Sequence, residues 1–147
     1  MTVIATNKRA YFDYEILENF EAGIVLTGQE VKSIKTGHVS LAGAYVTMKD
    51  NEAWLTNAHV SPYKMAGSLP GYEPTHSRKL LLRKHELMSL VGKIKQKGLT
   101  LMPLKVYTKK GKVKLEFGLA RGKKKYEKRE LIKKREVKKR IAEFLKQ

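Results

Sequence analysis

The chain has 147 residues and a formal net charge of +17 at pH 7, with 31 Lys and Arg against 14 Asp and Glu. This length predicts one modest core, and this charge predicts a phosphate-rich partner, first of all RNA. The chain has no cysteine, which excludes disulfides, thiolate zinc sites and cysteine nucleophiles. No apolar run reaches the roughly 18 residues of a membrane span and the first residues lack a signal-peptide pattern, so we expect a cytoplasmic protein without a membrane partner.

The first half of the chain predicts mostly extended structure. Residues 14–26 form an extended stretch, and residues 29–36 form a short helix that ends at Gly37. A hairpin is predicted for residues 44–49 and 53–60, because the three residues between them are typical of a turn.

The second half begins with a predicted surface loop over residues 61–75, which hold three prolines and two glycines. A helix follows, since four apolar residues recur at i, i+3, i+4 and i+7 before Gly98, a typical C-terminal cap. These residues are Leu87, Leu90, Val91 and Ile94. A second hairpin is predicted for residues 99–108 and 112–119, where apolar and polar side chains alternate. Together these elements predict a mainly β protein, as an antiparallel barrel or a strongly curled sheet.

Residues 121–147 form a basic tail with thirteen Lys or Arg and four Glu, set apart from the predicted body at residues 1–120. So dense a charge repels itself, and we expect the tail to be disordered when free and to become helical on RNA. Its apolar residues support a helix, because they recur at helical spacing. They are Val137, Ile141, Phe144 and Leu145, with Leu131 on roughly the same face. A solubility extension and a helix lying on anionic lipid are the weaker alternatives.

Patterns of catalytic or metal-binding residues are missing. The histidines, His38, His59, His76 and His85, are scattered and form no H-E-x-x-H motif, and there is no phosphate-binding glycine loop and no G-x-S-x-G elbow. The sequence therefore predicts no catalytic residue, no metal and no cofactor, and a binding protein instead of an enzyme.

Six segments follow one another across nearly the whole chain. They are N-K-R-A at residues 7–10, F-E-A-G at 20–23, G-Q-E-V-K-S at 28–33, R-K-L-L-L at 78–82, G-L-T-L-M-P-L-K-V-Y at 98–107 and G-K-K-K-Y-E-K-R at 122–129. In this order they resemble the SmpB family, small proteins that partner transfer-messenger RNA. Two positions depart from the family pattern: Glu127 stands where the family usually has Asp, and His76 stands where it tends to have Arg.

The resemblance implies a six-stranded antiparallel barrel of the oligonucleotide-binding (OB) type, with peripheral short helices and a basic C-terminal tail. It implies a monomeric adaptor that binds the tRNA-like domain of transfer-messenger RNA and delivers this RNA to stalled ribosomes for trans-translation. The tail would occupy the small-subunit decoding centre and the empty message channel. A general tRNA- or rRNA-binding structural module is the alternative.

Residue chemistry and the resemblance together predict two sets of binding residues. Those for transfer-messenger RNA are Asn7, Lys8, Arg9, Tyr14, Glu21, Lys32, Ser33, Lys35, Tyr45, Arg78, Lys79, Leu81 and Lys114. Those for the ribosome are Gly122, Lys123, Lys124, Tyr126, Lys128, Arg129, Lys133, Lys134, Arg135 and Ile141.

Four of these residues have alternatives. Leu81 belongs to an apolar run that would normally be core, whereas the resemblance implies that it contacts RNA or supports residues that do. A carboxylate that faces a polyanion is costly, so Glu21 is expected either to accept a hydrogen bond from a base edge or to hold a neighbouring lysine in position. The alternative is that Glu21 is a solvated acid on a strand. Arg78 and Lys79 are predicted phosphate ligands, with solvent-facing charges as the alternative. Tyr126 lies among Lys and Arg residues where there is no core to hold it, so it is the best candidate for stacking on a base.

Overall fold

The structure is a computed structural model, and it describes residues 1–67, 69–96 and 98–146, without the side chains of Ala66, Lys125 and Tyr126. The described residues form nine strands and four α-helices, together with a short 3₁₀ turn at Lys64–Ala66. The strands are β1 (Thr2–Thr6), β2 (Tyr14–Ile24), β3 (Val39–Ser40), β4 (Tyr45–Lys49), β5 (Glu52–Thr56), β6 (His59–Val60), β7 (Arg78–Leu81), β8 (Leu99–Lys109) and β9 (Lys112–Gly122). The helices are α1 (Lys8–Asp13), α2 (Gly28–Lys35), α3 (Lys84–Lys93) and α4 (Lys125–Leu145).

The strands pair antiparallel, which confirms the predicted mainly β class. The long strand β9 pairs with β8 on one side and with β2 on the other. From β8 the pairs continue through β4, β5 and β7 to β2, so the hydrogen-bonded pairs lead back to β9. β1 adds to the other side of β8, while β3 and β6 form a separate two-stranded sheet.

Both predicted hairpins are present, and each turns through two residues of positive φ. Lys110 and Gly111 (φ 53° and 77°) connect β8 to β9, and Asp50 and Asn51 (φ 54° and 60°) connect β4 to β5. Paired positive φ values are those of a type I′ turn, whose twist fits the two flanking strands. The predicted single arm over residues 53–60 is wrong, because Asn57 (φ 65°) interrupts it and β6 pairs with β3 instead.

The helix predictions hold with one correction. Helix α2 begins with a capping box, in which the Thr27 and Glu30 side chains each accept from the other's backbone N–H. It ends before Gly37, whose φ of 86° suits the residue that follows a helix. Helix α3 is also present, but it ends at Lys93 with Ile94 as its cap, so Gly98 is not the cap. Strand β1 and helix α1, at the start of the chain, were not predicted.

The core lies beneath β9. The alternation predicted for this strand is confirmed, since Val113, Leu115, Phe117 and Leu119 are all buried. Each such side chain stabilises the fold by about 1.5–3 kcal/mol relative to an exposed one. Gly118 lets β2 approach closely, because a Cβ atom there would lie 2.8 Å from Cγ2 of Ile16.

A buried ion pair fixes the segment that leads into β7. Arg78 is 2% exposed, and its Nε donates to Oε2 of Glu30 at 2.7 Å. Its other N–H groups donate to backbone carbonyls of Ala58 at 2.8 Å and Pro74 at 2.9 Å. Burial alone would raise the pKa of Glu30, but the Thr27 N–H and the Arg78 guanidinium outweigh it and hold this pKa below its usual range.

Removing one partner of this pair leaves the other charge buried and unpaired. We therefore expect Arg78→Met to lower the free energy of unfolding by about 3–5 kcal/mol, measured by urea denaturation. Lys79→Met is the matched control: its partner Glu52 lies 3.1 Å away in an exposed pair, so the loss should be about 0–1 kcal/mol.

The pH dependence of stability follows from the lowered pKa of Glu30. The stabilisation from its charged form is present above the unfolded-state pKa of about 4.3, and it is lost as pH falls through the lower folded-state value.

One outcome would contradict the structural role of Arg78. If Arg78→Met is as stable as the parent chain and instead binds RNA with a reduced salt dependence, Arg78 is a phosphate ligand and does not hold the interior together.

Candidate nucleic-acid interface

Three predicted RNA-binding residues meet at one open cavity, which we call the Glu21 cluster: Glu21, Leu81 and Lys114. Strand register brings them together, because Gly23 of β2 pairs with Leu81 of β7 on one side and with Lys114 of β9 on the other. A Cβ atom built on Gly23 would lie 3.4 Å from Cβ of Leu81 and 3.8 Å from Nζ of Lys114, so the two side chains converge above this glycine. The cavity has a volume of about 580 Å³.

Strand periodicity explains why Leu81 faces solvent despite its apolar neighbours. Side chains alternate along β7, so Leu80 is buried in the core while Leu81 is 54% exposed. An exposed leucine next to a lysine offers an apolar surface for the face of a base beside a cation for its phosphate. This position differs from the core position that the apolar run alone would suggest.

The carboxylate of Glu21 is held in its charged form. The Tyr107 hydroxyl donates to Oε2 of Glu21, and Nζ of Lys109 lies 3.6 Å from the same oxygen. The hydrogen bond from Tyr107 is the largest influence and, with the nearby lysines, holds the pKa of Glu21 below its usual range against the opposing effect of burial. Glu21 is therefore not a simple solvated acid.

A second group of predicted residues lies around α1 and the start of β2. Arg9, Tyr14 and Tyr45 line a cavity of about 390 Å³, and Lys8 is exposed beside them. Asn7 also reaches this cavity, but its side chain is buried and caps α1 by accepting from the Ala10 N–H.

The structure gives three of the predicted RNA ligands an internal role. Asn7 donates from Nδ2 to the Pro103 carbonyl at 2.9 Å, and Ser33 donates from Oγ to the Ser61 carbonyl at 2.6 Å. Arg78 is the third, in the buried pair with Glu30. The burial of Arg78 fits neither its predicted phosphate contact nor the solvent-facing alternative. Both predictions are replaced by an internal ion pair with Glu30. His76 belongs to the same network, with Nε2 2.9 Å from Oε2 of Glu30.

The remaining body cations are accessible. Lys32 and Lys35 are both exposed on α2, one turn apart, and Nζ of Lys32 lies 5.8 Å from the centre of the Tyr63 ring. Lys79 is half-buried and shares its charge with Glu52. These three cations are available to phosphate, although Lys79 would have to give up its partner.

The predicted tail begins later than residue 121. Arg121 and Gly122 belong to β9, where they pair with Glu15 and Tyr14 of β2. Lys123 continues the body, because its N–H donates to the Asp13 carbonyl at 2.8 Å. The helix α4 starts after Lys124, which is its exposed N-terminal cap residue.

The first half of α4 rests on α1. Nζ of Lys128 lies 3.2 Å from Oδ1 of Asp13, and the Arg135 guanidinium lies 5.2 Å from the centre of the Phe12 ring. Burial would raise the pKa of Asp13, but hydrogen bonds from Lys128 and Arg9 outweigh it and lower this pKa. With Gly122 and Lys123, four of the predicted ribosome-binding residues are thus in contact with the body.

The other predicted tail residues are exposed, and most of the apolar stripe is exposed with them. Arg129, Lys133, Lys134 and Ile141 all face solvent. So do Val137, Phe144 and Leu145, whereas Leu131 is half-buried and does not share their environment. The side chain of Tyr126 lies outside the described residues.

Sequence reasoning missed four residues of these surfaces: Phe12, Asp13, Tyr107 and Lys109. Tyr107 gave no periodic signal, because the register between β8 and β9 shifts between Pro103 and Lys105 and breaks the alternation. Asp13 had a local signal, since it lies four residues after Arg9 on a helix and the two side chains pair at 2.8 Å.

No group of three or more His, Asp or Glu in the described part of the chain is arranged to hold a metal ion. Across the same residues, no helix is long and apolar enough to cross a membrane.

The antiparallel β scaffold, with exposed cations and aromatic rings around open cavities, defines a basic protein of the nucleic-acid-binding class. Residues 4–147 match the family model described as "SmpB protein". The chain therefore belongs to the SmpB family, and the resemblance seen in the six segments is confirmed.

Individual relatives agree with this assignment. An "SsrA-binding protein" from Sulfurihydrogenibium sp. (strain YO3AOP1) is 54% identical over 144 residues, which are 98% of this chain and 94% of that protein. Another from Trichodesmium erythraeum (strain IMS101) is 50% identical over 145 residues, 99% of this chain and 93% of that protein. A solved structure described as "tmRNA-SmpB: a journey to the center of the bacterial ribosome" is similar with a TM-score of 0.68 and 51% identity, over 82% of this chain and 85% of that chain.

The contact between Asp13 and Lys128 gives a prediction about α4. Asp13→Asn should speed hydrogen exchange of the amides in residues 128–135 by about fivefold, equivalent to about 1 kcal/mol, and leave residues 137–145 unchanged. Glu52→Gln is the control, because it removes the exposed pair with Lys79 and touches neither helix. If α4 of the parent chain already exchanges throughout at the rate of an unfolded peptide, the docked helix is absent in solution and the free tail is disordered, as the sequence predicts.

Proposed function

We propose that this protein is an RNA-binding adaptor of trans-translation, which binds transfer-messenger RNA and accompanies it to stalled ribosomes. The observation that carries the proposal is the Glu21 cluster. In it the acceptor Glu21, the apolar Leu81 and the cation Lys114 line one cavity, and the chain around it has a net charge of +17. Full-length similarity to proteins described as "SsrA-binding protein" supports transfer-messenger RNA as the partner. The solved tmRNA-SmpB structure supports the ribosome as the second partner.

The body is proposed to be a six-stranded OB-type barrel. Support comes from the circuit of antiparallel pairs through β8, β4, β5, β7, β2 and β9, which returns to its starting strand. In such a barrel the open edges of the sheet are removed and one face is left for oligonucleotides. The Glu21 cluster lies on three consecutive strands of this circuit, β7, β2 and β9.

Ten of the predicted body residues remain as the proposed RNA interface. They are Lys8, Arg9, Tyr14, Glu21, Lys32, Lys35, Tyr45, Lys79, Leu81 and Lys114. The lysines and Arg9 suit phosphate, and the tyrosines suit bases that are unstacked in an RNA loop. Asn7, Ser33 and Arg78 are proposed to support this surface from below, through their ties to backbone carbonyls.

The tail is proposed to bind the ribosome, with α4 leaving α1 when it does so. Lys128 and Arg135 support this step, because their charged groups now lie on Asp13 and Phe12 and are not free for ribosomal RNA. The helix of 21 residues is about 31 Å long, enough to line part of a channel. Its exposed cations and apolar stripe would contact the decoding centre and the message channel.

The proposed activity is binding, and it requires no catalytic group or cofactor. A cytoplasmic location and a monomeric state stay predictions.

The alternative function, a general tRNA- or rRNA-binding structural module, differs from the adaptor only in the RNA that it binds. Sequencing the RNA that this protein retains from a bacterial lysate separates them: one dominant transfer-messenger RNA supports the adaptor, and a spread of tRNAs or ribosomal RNA alone supports the module.

Lys114→Ala tests the Glu21 cluster. We expect the Kd for the tRNA-like domain of transfer-messenger RNA to rise on the order of fivefold and the salt slope to fall by about one, because one phosphate contact is lost. Lys49→Ala removes the same charge from an exposed position at the end of β4, and it should change both quantities less. Equal effects of the two substitutions would mean that only net charge matters and that the cluster is not the interface.

Separate roles for body and tail are tested by truncation. A chain that ends at Lys124 keeps all of β9 and loses ten Lys or Arg and four Glu. It should still bind the isolated RNA, with a modest loss from the removed charge, and it should fail to support tagging of stalled peptides in a reconstituted translation assay.

Charge and shape of the tail are separated by two full-length variants. Ile141→Asp with Phe144→Asp destroys the apolar stripe, and a second variant keeps the composition of residues 131–147 but scrambles them out of helical phase. Both should bind the RNA and tag poorly. Normal tagging by the scrambled tail would mean that the tail acts as diffuse positive charge and that no amphipathic helix is needed.

A further inference from the structure

The hydroxyl of Tyr107 reaches the proposed RNA interface along the outer face of the sheet, the face that also carries Lys114. Tyr107 is 4% exposed, and it lies on β8, two strands away from Glu21 on β2. Strand β9 runs between them and pairs with both. The hydrogen bond from the Tyr107 hydroxyl to Oε2 of Glu21 therefore spans β9.

This hydroxyl acts as a donor. Burial is the main cause that raises the pKa of Tyr107, and the carboxylates of Glu21 and Glu116 raise it further, so the phenol keeps its proton at every physiological pH. A phenol has one proton to donate, and it donates it to Glu21. The orientation of the Glu21 carboxylate is thereby coupled to a side chain that is itself buried.

The consequence concerns the second carboxylate oxygen. Oε2 of Glu21 is engaged by Tyr107 and lies near Lys109, whereas Oε1 has no hydrogen-bond partner within the described ranges. Glu21 lines the cavity that also holds Leu81 and Lys114. A carboxylate oxygen in such a place can accept from the amino group of an unpaired base.

We propose that Tyr107 is a positioning residue for RNA binding: its hydroxyl orients Glu21 so that the other carboxylate oxygen accepts a hydrogen bond from a base amino group. The inference rests on the proposed function, in which Glu21 contacts RNA. A neutral donor suits this task, because it stabilises an acid that must face a polyanion without itself becoming a phosphate ligand. Lys109, by contrast, is an exposed cation that could leave Glu21 for a phosphate.

Tyr107→Phe tests the proposal, since it removes the hydroxyl and keeps the buried ring. The probe is the transcribed tRNA-like domain of transfer-messenger RNA, and its Kd is measured with the full chain between about pH 3.5 and pH 8. At neutral pH we expect the Kd to rise about tenfold, with an unchanged salt slope, because a base contact is weakened and no phosphate contact is lost.

The pH profile gives the readout that a general loss of stability would not produce. The Tyr107 hydrogen bond lowers the pKa of Glu21, so its removal should raise this pKa and move the acid loss of RNA affinity to higher pH. In Glu21→Gln the acid loss that Glu21 causes should be absent, which leaves only what Glu116 opposite it and His85 and Glu86 in the same cavity contribute. Adding Tyr107→Phe to that variant should have no further effect. Tyr72→Phe is the control for a general loss of stability: its hydroxyl contacts the Val60 carbonyl at 2.8 Å and Oε2 of Glu30 at 3.3 Å, and it has no contact with Glu21. Any destabilisation that it causes should leave the pH of the acid loss unchanged.

The outcomes separate this inference from the proposed function. If Glu21→Gln binds the RNA as tightly as the parent chain, the proposed interface is wrong. If Glu21→Gln binds weakly while Tyr107→Phe keeps the parent Kd and pH profile, the interface stands and the positioning role is overturned. An NMR titration of the Glu21 carboxyl carbon in the free parent protein adds a check that needs no variant to fold: a pKa at the ordinary value of about 4.3 would also overturn it.

Discussion

The pairing of β9 with β8 on one side and β2 on the other is the constraint on which both surfaces of the molecule depend. It brings Glu21, Lys114 and Tyr107 together, although they lie on three different strands. The same pairing ends at Gly122 opposite Tyr14, directly after α1, and so α4 begins beside that helix. A change of register by one residue would turn Lys114 into the core and Leu115 outward, and the proposed interface would be lost.

Acidic residues in this basic chain serve to hold particular donors in place. Glu30 ties Arg78 into the interior, Asp13 retains Lys128 and Arg9, and Glu21 accepts from Tyr107. A chain with a net charge of +17 repels itself, so each of these contacts offsets local repulsion as well as fixing geometry. Removing one partner should lower the free energy of unfolding most for Glu30 and Arg78, because of these three contacts only that pair is fully buried.

Local signals predicted the fold well, and distant partners account for most of what they missed. The hairpins and α2 follow from turn residues, alternation and the glycine after the helix, all of which are local signals. Arg78 was predicted at the surface because its partner, Glu30, lies 48 positions away in the sequence. Asn7 and the Pro103 carbonyl are 96 positions apart, and no local pattern indicates such a contact. The Glu21 cluster was predicted from family resemblance, whereas its convergence above Gly23 needed the strand register.

The central claim is that the body binds RNA through the strands around Glu21 and that the tail is not needed for this step. Amide NMR shifts of the ¹⁵N-labelled protein, titrated with the tRNA-like domain of transfer-messenger RNA, test it most directly. The account predicts shift changes at Glu21, Leu81 and Lys114, both in the full chain and in a chain that ends at Lys124. Changes confined to α4 in the full chain, with none in the shortened chain, would contradict it.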